Sequence, residues 1–141
     1  MRTMRTWALV TLMVLAFASF TPAASNSEQI VFSGAGISTA GPFGFWIWCE
    51  GESENPYNGI CSGAMYFYAL GLTRHVDGSV TEIGSDLYRM IVTSRDGAIA
   101  CTLENTTLLR GPRNTVNVTC TVSSSAVTGS VSNAVVNVTG P

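Results

Sequence analysis

The side chains able to do chemistry are few in this chain of 141 residues: four Cys, one His and a short series of acidic residues. His75 stands two residues before Asp77, so a Ser-His-Asp triad lacks only a serine nucleophile. The sequence contains no G-x-S-x-G elbow, and Ser38, Ser53 and Ser62 lie in no comparable context. We therefore predict that the protein is not an enzyme and uses no cofactor.

The acidic series Glu50-x-Glu52-x-Glu54 is the other candidate for chemistry, either as a cation site or as a source of carboxylates for sugar hydrolysis. It lacks the Asp-rich twelve-residue pattern of a calcium loop. A domain this small also leaves little room for a cleft between two placed acids. Because the chain has a single His and no C-x-x-C spacing, a zinc site is not expected. We predict a solvated acidic loop and no metal site.

Four cysteines in a chain of this size are typical of two disulfides in an oxidising compartment. Taken in sequence order, each pair encloses a turn signal, Asn55-Pro56 in one case and Gly111-Pro112 in the other. Sequential pairing is therefore predicted among the three possible connectivities. The predicted bridges are Cys49 with Cys61 and Cys101 with Cys120.

Residues 1–25 have the organisation of a secretory signal peptide. Arg2 and Arg5 precede an apolar run from Trp7 to Phe20, and small residues follow, with cleavage expected after Ala24 or Ser25. The apolar run is short for a hydrocarbon layer of about 30 Å. We expect export by a Sec-type route to the cell envelope, the periplasm or the medium, with no membrane insertion once the segment is removed.

The low charge content of the chain limits the classes of partner that it can bind. Charged residues make up 11% of the chain and the formal net charge is -2, which argues against nucleic-acid binding because phosphates require a basic surface. All the basic residues are Arg, a bias that favours a GC-rich bacterial genome. The sequons at Asn105, Asn117 and Asn137 would carry glycans only in a eukaryotic secretory pathway, and their use stays open.

Apolar residues recur with a period of two along nearly the whole chain after the N-terminal segment, which is typical of β-strands. Eight strands are predicted: Gln29–Ser33, Phe43–Glu50, Gly63–Leu72, Val80–Gly84, Leu87–Ser94, Ala98–Glu104, Thr115–Ser123 and Ala134–Thr139. Turns are predicted at Val76-Asp77-Gly78-Ser79, Arg95-Asp96-Gly97, Gly111-Pro112-Arg113-Asn114 and Gly129.

This spacing fits a sandwich or a small barrel. We predict an all-β fold, a small antiparallel β-sandwich that is immunoglobulin-like or similar, with seven or eight strands and two disulfides. The sandwich domain covers residues 42–141. Residues 26–41 are rich in Ser, Gly and Ala and are expected to form a flexible segment with one short strand.

Eight aromatic residues lie between positions 43 and 68, the strongest asymmetry in the chain. If Cys49 faces Cys61 across a hairpin, the residues that face each other elsewhere in the hairpin follow from strand register. The predicted facing pairs are Trp48 with Ser62, Trp46 with Ala64, and Gly44 with Tyr66. One face of the hairpin then carries Phe, Ile and Met, and the other carries the Trp and Tyr side chains, whose polar groups tolerate water.

The Trp and Tyr face is open to three interpretations: buried core, a platform for a ligand or partner, or an interface between copies. We predict a non-catalytic extracellular binding module whose partner is a glycan, a small apolar ligand or a protein. The expected contact residues are Trp46, Trp48, Tyr57, Tyr66, Tyr68 and Glu50. Two alternatives stay open. One is a self-assembling cell-envelope protein, and the other is an inhibitor of a secreted hydrolase that presents Asn55, Pro56 and Tyr57.

Overall fold

Eight antiparallel strands form the fold, and in the computed structural model of the chain they close into a barrel. The structure describes residues 27–52, 56–106 and 111–139, so the predicted signal peptide lies outside the described residues. The strands are β1 Ser27–Ser38, β2 Gly41–Glu52, β3 Asn58–Phe67, β4 Leu72–Gly84, β5 Leu87–Ser94, β6 Ile99–Asn105, β7 Gly111–Val122 and β8 Ser125–Thr139. One turn of 3-10 helix, Tyr68–Leu70, connects β3 to β4. Within these ranges, no helix has the length and apolar character needed to span a membrane.

The barrel corrects the predicted sandwich. Each strand pairs with the next one in the chain, and β1 also pairs with β8, where Gln29 lies opposite Thr139 and Phe32 opposite Val136. A sandwich and a barrel both bury one face of every strand, so the alternation of apolar residues is the same in the two folds. The two folds differ in whether the first and last strands pair with each other. The alternation of apolar residues in β1 and β8 does not reveal that pairing.

The N-terminal strand is longer than the predicted Gln29–Ser33. β1 pairs with β2 along its full length, from Ser27 opposite Glu52 to Ser38 opposite Gly41. The small residues in this segment reflect close packing. A Cβ atom on Gly34 would lie 2.8 Å from a methyl group of Val131 on β8. Residues 27–38 therefore form a wall of the barrel, although their composition had indicated a flexible segment.

The predicted turn at Val76-Asp77-Gly78-Ser79 lies inside β4, which runs without a break from Leu72 to Gly84. Gly78 is needed there because the backbone of β5 passes directly over it, and a Cβ atom would overlap the carbonyl oxygen of Ile91. Glycine inside a strand often marks such a close approach in a barrel. The predicted turn at Gly129 fails for a similar reason, since a Cβ there would lie 2.8 Å from the Phe43 ring.

Two other segments also differ from the predicted turns. The tight turn between β7 and β8 uses Ser123 and Ser124, both with positive φ. β7 already begins at Gly111, where a turn was predicted. By contrast, the predicted turn at Arg95-Asp96-Gly97 does lie between β5 and β6.

Asp96 organises this turn through its carboxylate. Oδ2 accepts a hydrogen bond from Nε of Arg74 at 2.8 Å, and Oδ1 accepts from the Ser94 hydroxyl at 2.7 Å and from the Ala98 amide at 3.1 Å. These hydrogen bonds, that of Arg74 first, hold the pKa of Asp96 well below its usual range. The turn therefore keeps a charged carboxylate that pairs with Arg74 of β4.

Side chains fill the barrel interior. Near one end, Phe43 stacks on Phe45 and on Phe67 with ring centroids 6.3 and 6.1 Å apart. Near the other, the Tyr88 ring meets the edges or faces of Phe32 and Tyr57 in T-shaped contacts. Edge-to-face and offset packing are both favourable arrangements for buried rings.

Both predicted disulfides are confirmed. Cys49 is bonded to Cys61 and Cys101 to Cys120, with Cα–Cα distances of 4.0 and 4.1 Å. In each case the two cysteines lie directly opposite each other on adjacent strands and point into the interior. The bridges thus hold the hairpins β2–β3 and β6–β7 in register and indicate an oxidising compartment.

Substitution of Gly78 by Ala tests the close approach of β5 to β4. We expect Gly78→Ala to lower the free energy of unfolding by about 2 kcal/mol or more, because the new methyl group forces the two backbones apart. Urea unfolding followed by near-ultraviolet circular dichroism gives the measurement. Ser79→Ala, an exposed neighbour on the same strand, is the control and should change stability by less than about 0.5 kcal/mol. Equal midpoints for the two variants would contradict the packing.

Removal of the second bridge tests its contribution to stability. We expect the double variant Cys101→Ala with Cys120→Ala to lose about 3 kcal/mol, because the crosslink restricts the unfolded chain across a sequence separation of 19 residues. Replacing both residues avoids a free thiol. Thermal unfolding of the oxidised and reduced protein and of the variant gives the comparison. A variant as stable as the oxidised protein would contradict this contribution.

Candidate binding surface

The register of the β2–β3 hairpin places the aromatic residues as predicted. Cys49 lies opposite Cys61, and the neighbouring pairs follow in step. These pairs are Trp48 with Ser62, Trp46 with Ala64, and Gly44 with Tyr66. Each large ring of the outer face therefore stands across from a small residue or lies over one, so the rings are not crowded by their cross-strand partners.

The two faces of the hairpin are sorted between the interior and solvent. Phe45 and Ile47 of β2 point inward and are at most 2% exposed, whereas Trp46 between them is 51% exposed. Tyr68 is 61% exposed, and Trp48 and Tyr66 are half-buried. We call the outward-facing set the aromatic strip; it consists of Trp46, Trp48, Tyr66 and Tyr68. Its rings lie on the outer wall of the barrel.

A groove of about 380 Å³ lies beside the two indoles. Its floor is the small-residue segment Ser62, Gly63 and Ala64 of β3, which lies between β2 and β4. Trp46 and Trp48 line the groove on the β2 side, and His75 lines it on the β4 side. The groove therefore has an aromatic side and a polar side, separated by one strand of small residues.

The polar side carries three interacting side chains. Nε2 of His75 lies 3.0 Å from Oδ1 of Asp77 and 3.3 Å from the Ser62 hydroxyl. Strand register explains the cluster, because Asp77 lies directly opposite Ser62, and His75 precedes Asp77 on the same face of β4. We call Ser62, His75 and Asp77 the polar cluster.

The polar cluster brings together the residue types of a catalytic triad without its geometry. In a triad the two ring nitrogens have separate partners, one the carboxylate and the other the nucleophile. Here a single nitrogen, Nε2, meets both, and the side chains of His75 and Asp77 are 65% and 64% exposed. Such an arrangement differs from a triad in the contacts of the imidazole, and it offers hydrogen-bond donors and acceptors to a ligand.

The two tyrosines continue the strip beyond the groove. Their rings are nearly parallel, with centroids 6.1 Å apart and 9° between the planes. Gly44 has no side chain, and this leaves room for both rings. A Cβ atom on Gly44 would lie 3.3 Å from the Tyr68 hydroxyl oxygen and 3.7 Å from the Tyr66 ring. The absence of a side chain at Gly44 therefore lets Tyr66 and Tyr68 lie close to the backbone of β2.

Tyr57 does not belong to this surface, although it was among the predicted contact residues. It is 2% exposed, and its hydroxyl donates a 2.7 Å hydrogen bond to the carbonyl of Glu28 on β1. Burial, and then the charges of Glu28 and Glu50, raise the pKa of Tyr57 to about 12. Its role in the structure is to pack inside one end of the barrel, against Tyr88.

The remaining predicted residues are divided between the strip and the adjoining loop. Glu50 is exposed on β2, opposite Ile60, and continues the outer face past Trp48. Glu52 is exposed at the end of β2, and Glu54 and Asn55 lie outside the described residues. Ile60 is 77% exposed, so this end of the strip combines a carboxylate with an apolar side chain.

Sequence reasoning did not assign the polar cluster to the site. The predicted strands ended at Leu72 and resumed at Val80, so His75 was placed between strands, just before the predicted turn at residues 76–79, and Asp77 inside that turn. Had β4 been predicted as one strand, its period of two would have put His75 and Asp77 on one face, and pairing with β3 would have placed them beside Ser62.

The fold buries the asparagine of one of the three sequons, Asn105. The Asn105 side chain is buried, and its Oδ1 accepts a 2.6 Å hydrogen bond from the Tyr88 amide while its Nδ2 donates to the Asp86 carbonyl at 2.9 Å. The amide nitrogen that a glycan would occupy is thus engaged in fixing the β4–β5 turn. Asn117 and Asn137 are exposed.

Comparison of the chain with protein-family models, with curated proteins and with solved structures produced no match. The argument for function therefore rests on the geometry of the site.

Replacement of Tyr57 by Phe tests its buried hydroxyl. A phenol whose pKa is raised on folding contributes stability that is present below pH 10 and is lost as the pH rises toward about 12. We expect Tyr57→Phe to cost about 1 kcal/mol at pH 7, because the Glu28 carbonyl loses its donor. Between pH 10 and 12 the difference from the unsubstituted protein should shrink, since the variant has no phenol at position 57 to ionise.

Urea midpoints measured from pH 7 to pH 12 check this expectation. Tyr68→Phe, with an exposed ring, is the matched control and should leave the midpoint at pH 7 unchanged. A constant difference between Tyr57→Phe and the unsubstituted protein across the whole range would contradict the raised pKa.

Proposed function

We propose that the protein is an exported, non-catalytic binding module and that the aromatic strip with its groove is the contact surface. The observation that carries the proposal is the exposure of Trp46 and Tyr68 on a barrel whose other large aromatic side chains are buried or half-buried. Exposed Trp and Tyr side chains are enriched in binding sites because they offer a large contact area with little rotamer entropy to lose.

The rigidity of the strands that carry the aromatic strip supports the proposal. Trp48 is adjacent to Cys49, whose bond to Cys61 fixes the β2–β3 register, and Trp46 lies between two inward-pointing core residues. The strip therefore stands on strands that are held from inside by a disulfide and by close packing. A surface that is already ordered loses less entropy when it binds a ligand.

Export is part of the proposal for two reasons. The two disulfides indicate an oxidising compartment, and the first 25 residues have the organisation of a signal peptide. A module that works outside the cell meets polymers, small molecules and other proteins of the envelope and the medium. Each of these classes is a possible partner for an open surface groove.

The structure weakens the reasons for the two alternatives. Self-assembly by edge-to-edge strand pairing would need a free strand edge, but every described strand of the closed barrel is paired on both sides. Inhibition of a hydrolase was motivated by a loop presenting Asn55, Pro56 and Tyr57; of these, Pro56 is exposed, Tyr57 is buried, and Asn55 lies outside the described residues. No observation favours either alternative over the aromatic strip.

Trp46→Ala is the direct test. We expect it to weaken binding at least about tenfold, because a central exposed aromatic contributes more than about 1 kcal/mol to a typical interface. After removal of residues 1–25, Trp46 and Trp48 are the only tryptophans, so intrinsic fluorescence reports on the groove itself. Titrations with polysaccharides, apolar dyes and peptides, using the emission of the remaining Trp48 in the variant, give the affinities.

Phe45→Ala provides the structural contrast. As a buried neighbour it should cost about 3 to 5 kcal/mol of stability, while Trp46→Ala should stay within about 1 kcal/mol of the unsubstituted protein. If Trp46→Ala unfolds the barrel as Phe45→Ala does, the indole is structural and the proposal is wrong. A folded Trp46→Ala variant with unchanged affinity for every ligand that binds would also overturn it.

A further inference from the structure

The geometry points to a neutral glycan as the ligand, with one chain of pyranose rings lying in the groove between the indoles and the polar cluster. This inference rests on the proposed function and names the class of ligand for the same surface. It depends on the difference between the two sides of the groove, on the width between them, and on the charges nearby.

The two sides of the groove match the two kinds of surface on a sugar ring. A pyranose presents patches of C–H groups on its faces and hydroxyl groups around its edge. Trp46 and Trp48 offer aromatic surface on which a C–H face can stack. Ser62 on the floor and His75 on the far side offer a hydroxyl and an imidazole at the level of the ring edge.

The polar cluster can both donate and accept hydrogen bonds. The Ser62 hydroxyl does both, the Asp77 carboxylate only accepts, and the second ring nitrogen of His75 is left for a ligand when Nε2 bonds to Asp77. Sugar hydroxyls also do both, so they can satisfy each of these groups. An apolar ligand would cover the same groups without replacing their bonds to water, at a cost in free energy.

The width of the groove suits a narrow ligand such as a single glycan chain. The aromatic and polar sides stand on β2 and β4, two strand spacings apart, or about 9.5 Å between backbones. An α-helix with its side chains is about 10 to 12 Å across and does not fit between them. A peptide that binds by adding a strand to a sheet would need a free strand edge, and the described strands form a closed ring with none. A single row of sugar rings meets neither obstacle.

The length of the aromatic strip also suits a polymeric glycan. Trp46 and Trp48 are two residues apart on β2, which places them about 7 Å apart along the strand. Flat rings at this spacing can each contact one of two successive sugar units. Tyr66 and Tyr68 extend the aromatic surface beyond the groove, toward the end of β3.

Nearby charges favour a neutral polymer. Two arginines on the neighbouring strands β4 and β5 are already in ion pairs, Arg74 with Asp96 at 2.8 Å and Arg89 with Glu104 at 2.6 Å. Asp77 adds negative charge next to the groove and repels a polyanion. Recognition of an anionic glycan or a nucleic acid would instead require Arg or Lys side chains along the groove, and none is among its lining residues.

Affinity electrophoresis and sedimentation with defined polymers test the inference. The probes are cellulose, chitin, xylan and mannan as neutral glycans, with polygalacturonate as the anionic contrast. We expect the mature protein to be retained by at least one neutral polymer, equally at 0.1 and 1 M NaCl, and not by polygalacturonate. Retention that disappears at 1 M NaCl would show an ionic contact and overturn the inference.

Variants of the polar cluster separate a glycan from other ligands. We expect Ser62→Ala combined with Asp77→Ala to weaken retention about tenfold, because sugar hydroxyls lose their partners. Thr93→Ala is the matched control, since Thr93 is exposed opposite Asp77 on β5, outside the groove, and should leave retention unchanged. Retention unaffected by the loss of Ser62 and Asp77 would overturn the assignment of a glycan.

The inference and the proposed function fail in different ways. If no neutral polymer is retained but an apolar dye or a peptide still binds in a manner that depends on Trp46, the glycan inference is wrong and the binding surface stands. If no probe of any class depends on Trp46, both are wrong. Circular dichroism of each variant confirms that a lost interaction does not reflect a lost fold.

Discussion

Hydrogen bonding between β1 and β8 closes the barrel, and this closure decides which part of the molecule is available to a ligand. In an open sheet, the first and last strands would expose unpaired amides and carbonyls that could accept another strand. Here Gln29 and Phe32 of β1 pair with the last strand, and the interior is filled by close-packed aromatic and aliphatic side chains. With the described edges paired and the inside occupied, neither can accept a ligand, and the aromatic strip is presented on the outer wall.

Backbone packing explains why glycine recurs inside the strands of the barrel. Glycine occurs where strands approach so closely that no Cβ fits, as at Gly78 beneath Ile91 and at Gly63 beneath the Trp46 carbonyl. The outward-facing neighbours of Gly63, which are Ser62 and Ala64, have small side chains, and these leave a depression beside the indoles. The shape of the candidate site thus follows from the small side chains that β3 presents outward between the indoles and His75.

The Cys49–Cys61 bridge connects the core to this surface. It lies inside the barrel, yet it fixes which residues of β2 and β3 face each other, and therefore which rings stand over which small residues. A shift of one residue would turn the indoles inward and the Phe side chains outward. The core disulfide accordingly preserves both the stability of the hairpin and the arrangement of the aromatic strip.

Local patterns were sufficient to predict the strand-rich fold, both disulfides and the hairpin register, because each depends on residues close together in the chain. They were misleading at Gly78 and Gly129. Glycine there resembles a turn signal, but it is required because residues of another strand come too close to leave room for a side chain. They also grouped Tyr57 with the other aromatic residues near the hairpin, although its hydroxyl is bonded to a carbonyl 29 positions away.

The sequence by itself determined the alternation of inward and outward residues, and with it the separation of Phe and Met from Trp46 and Trp48. Only the tertiary structure decided that the sheet closes on itself, that the Trp face is exposed, and that Ser62, His75 and Asp77 meet beside it. The physical reason is that side-chain parity is a local property of a strand. Closure, exposure and the meeting of residues from different strands depend on pairings between segments whose sequences do not specify their partners.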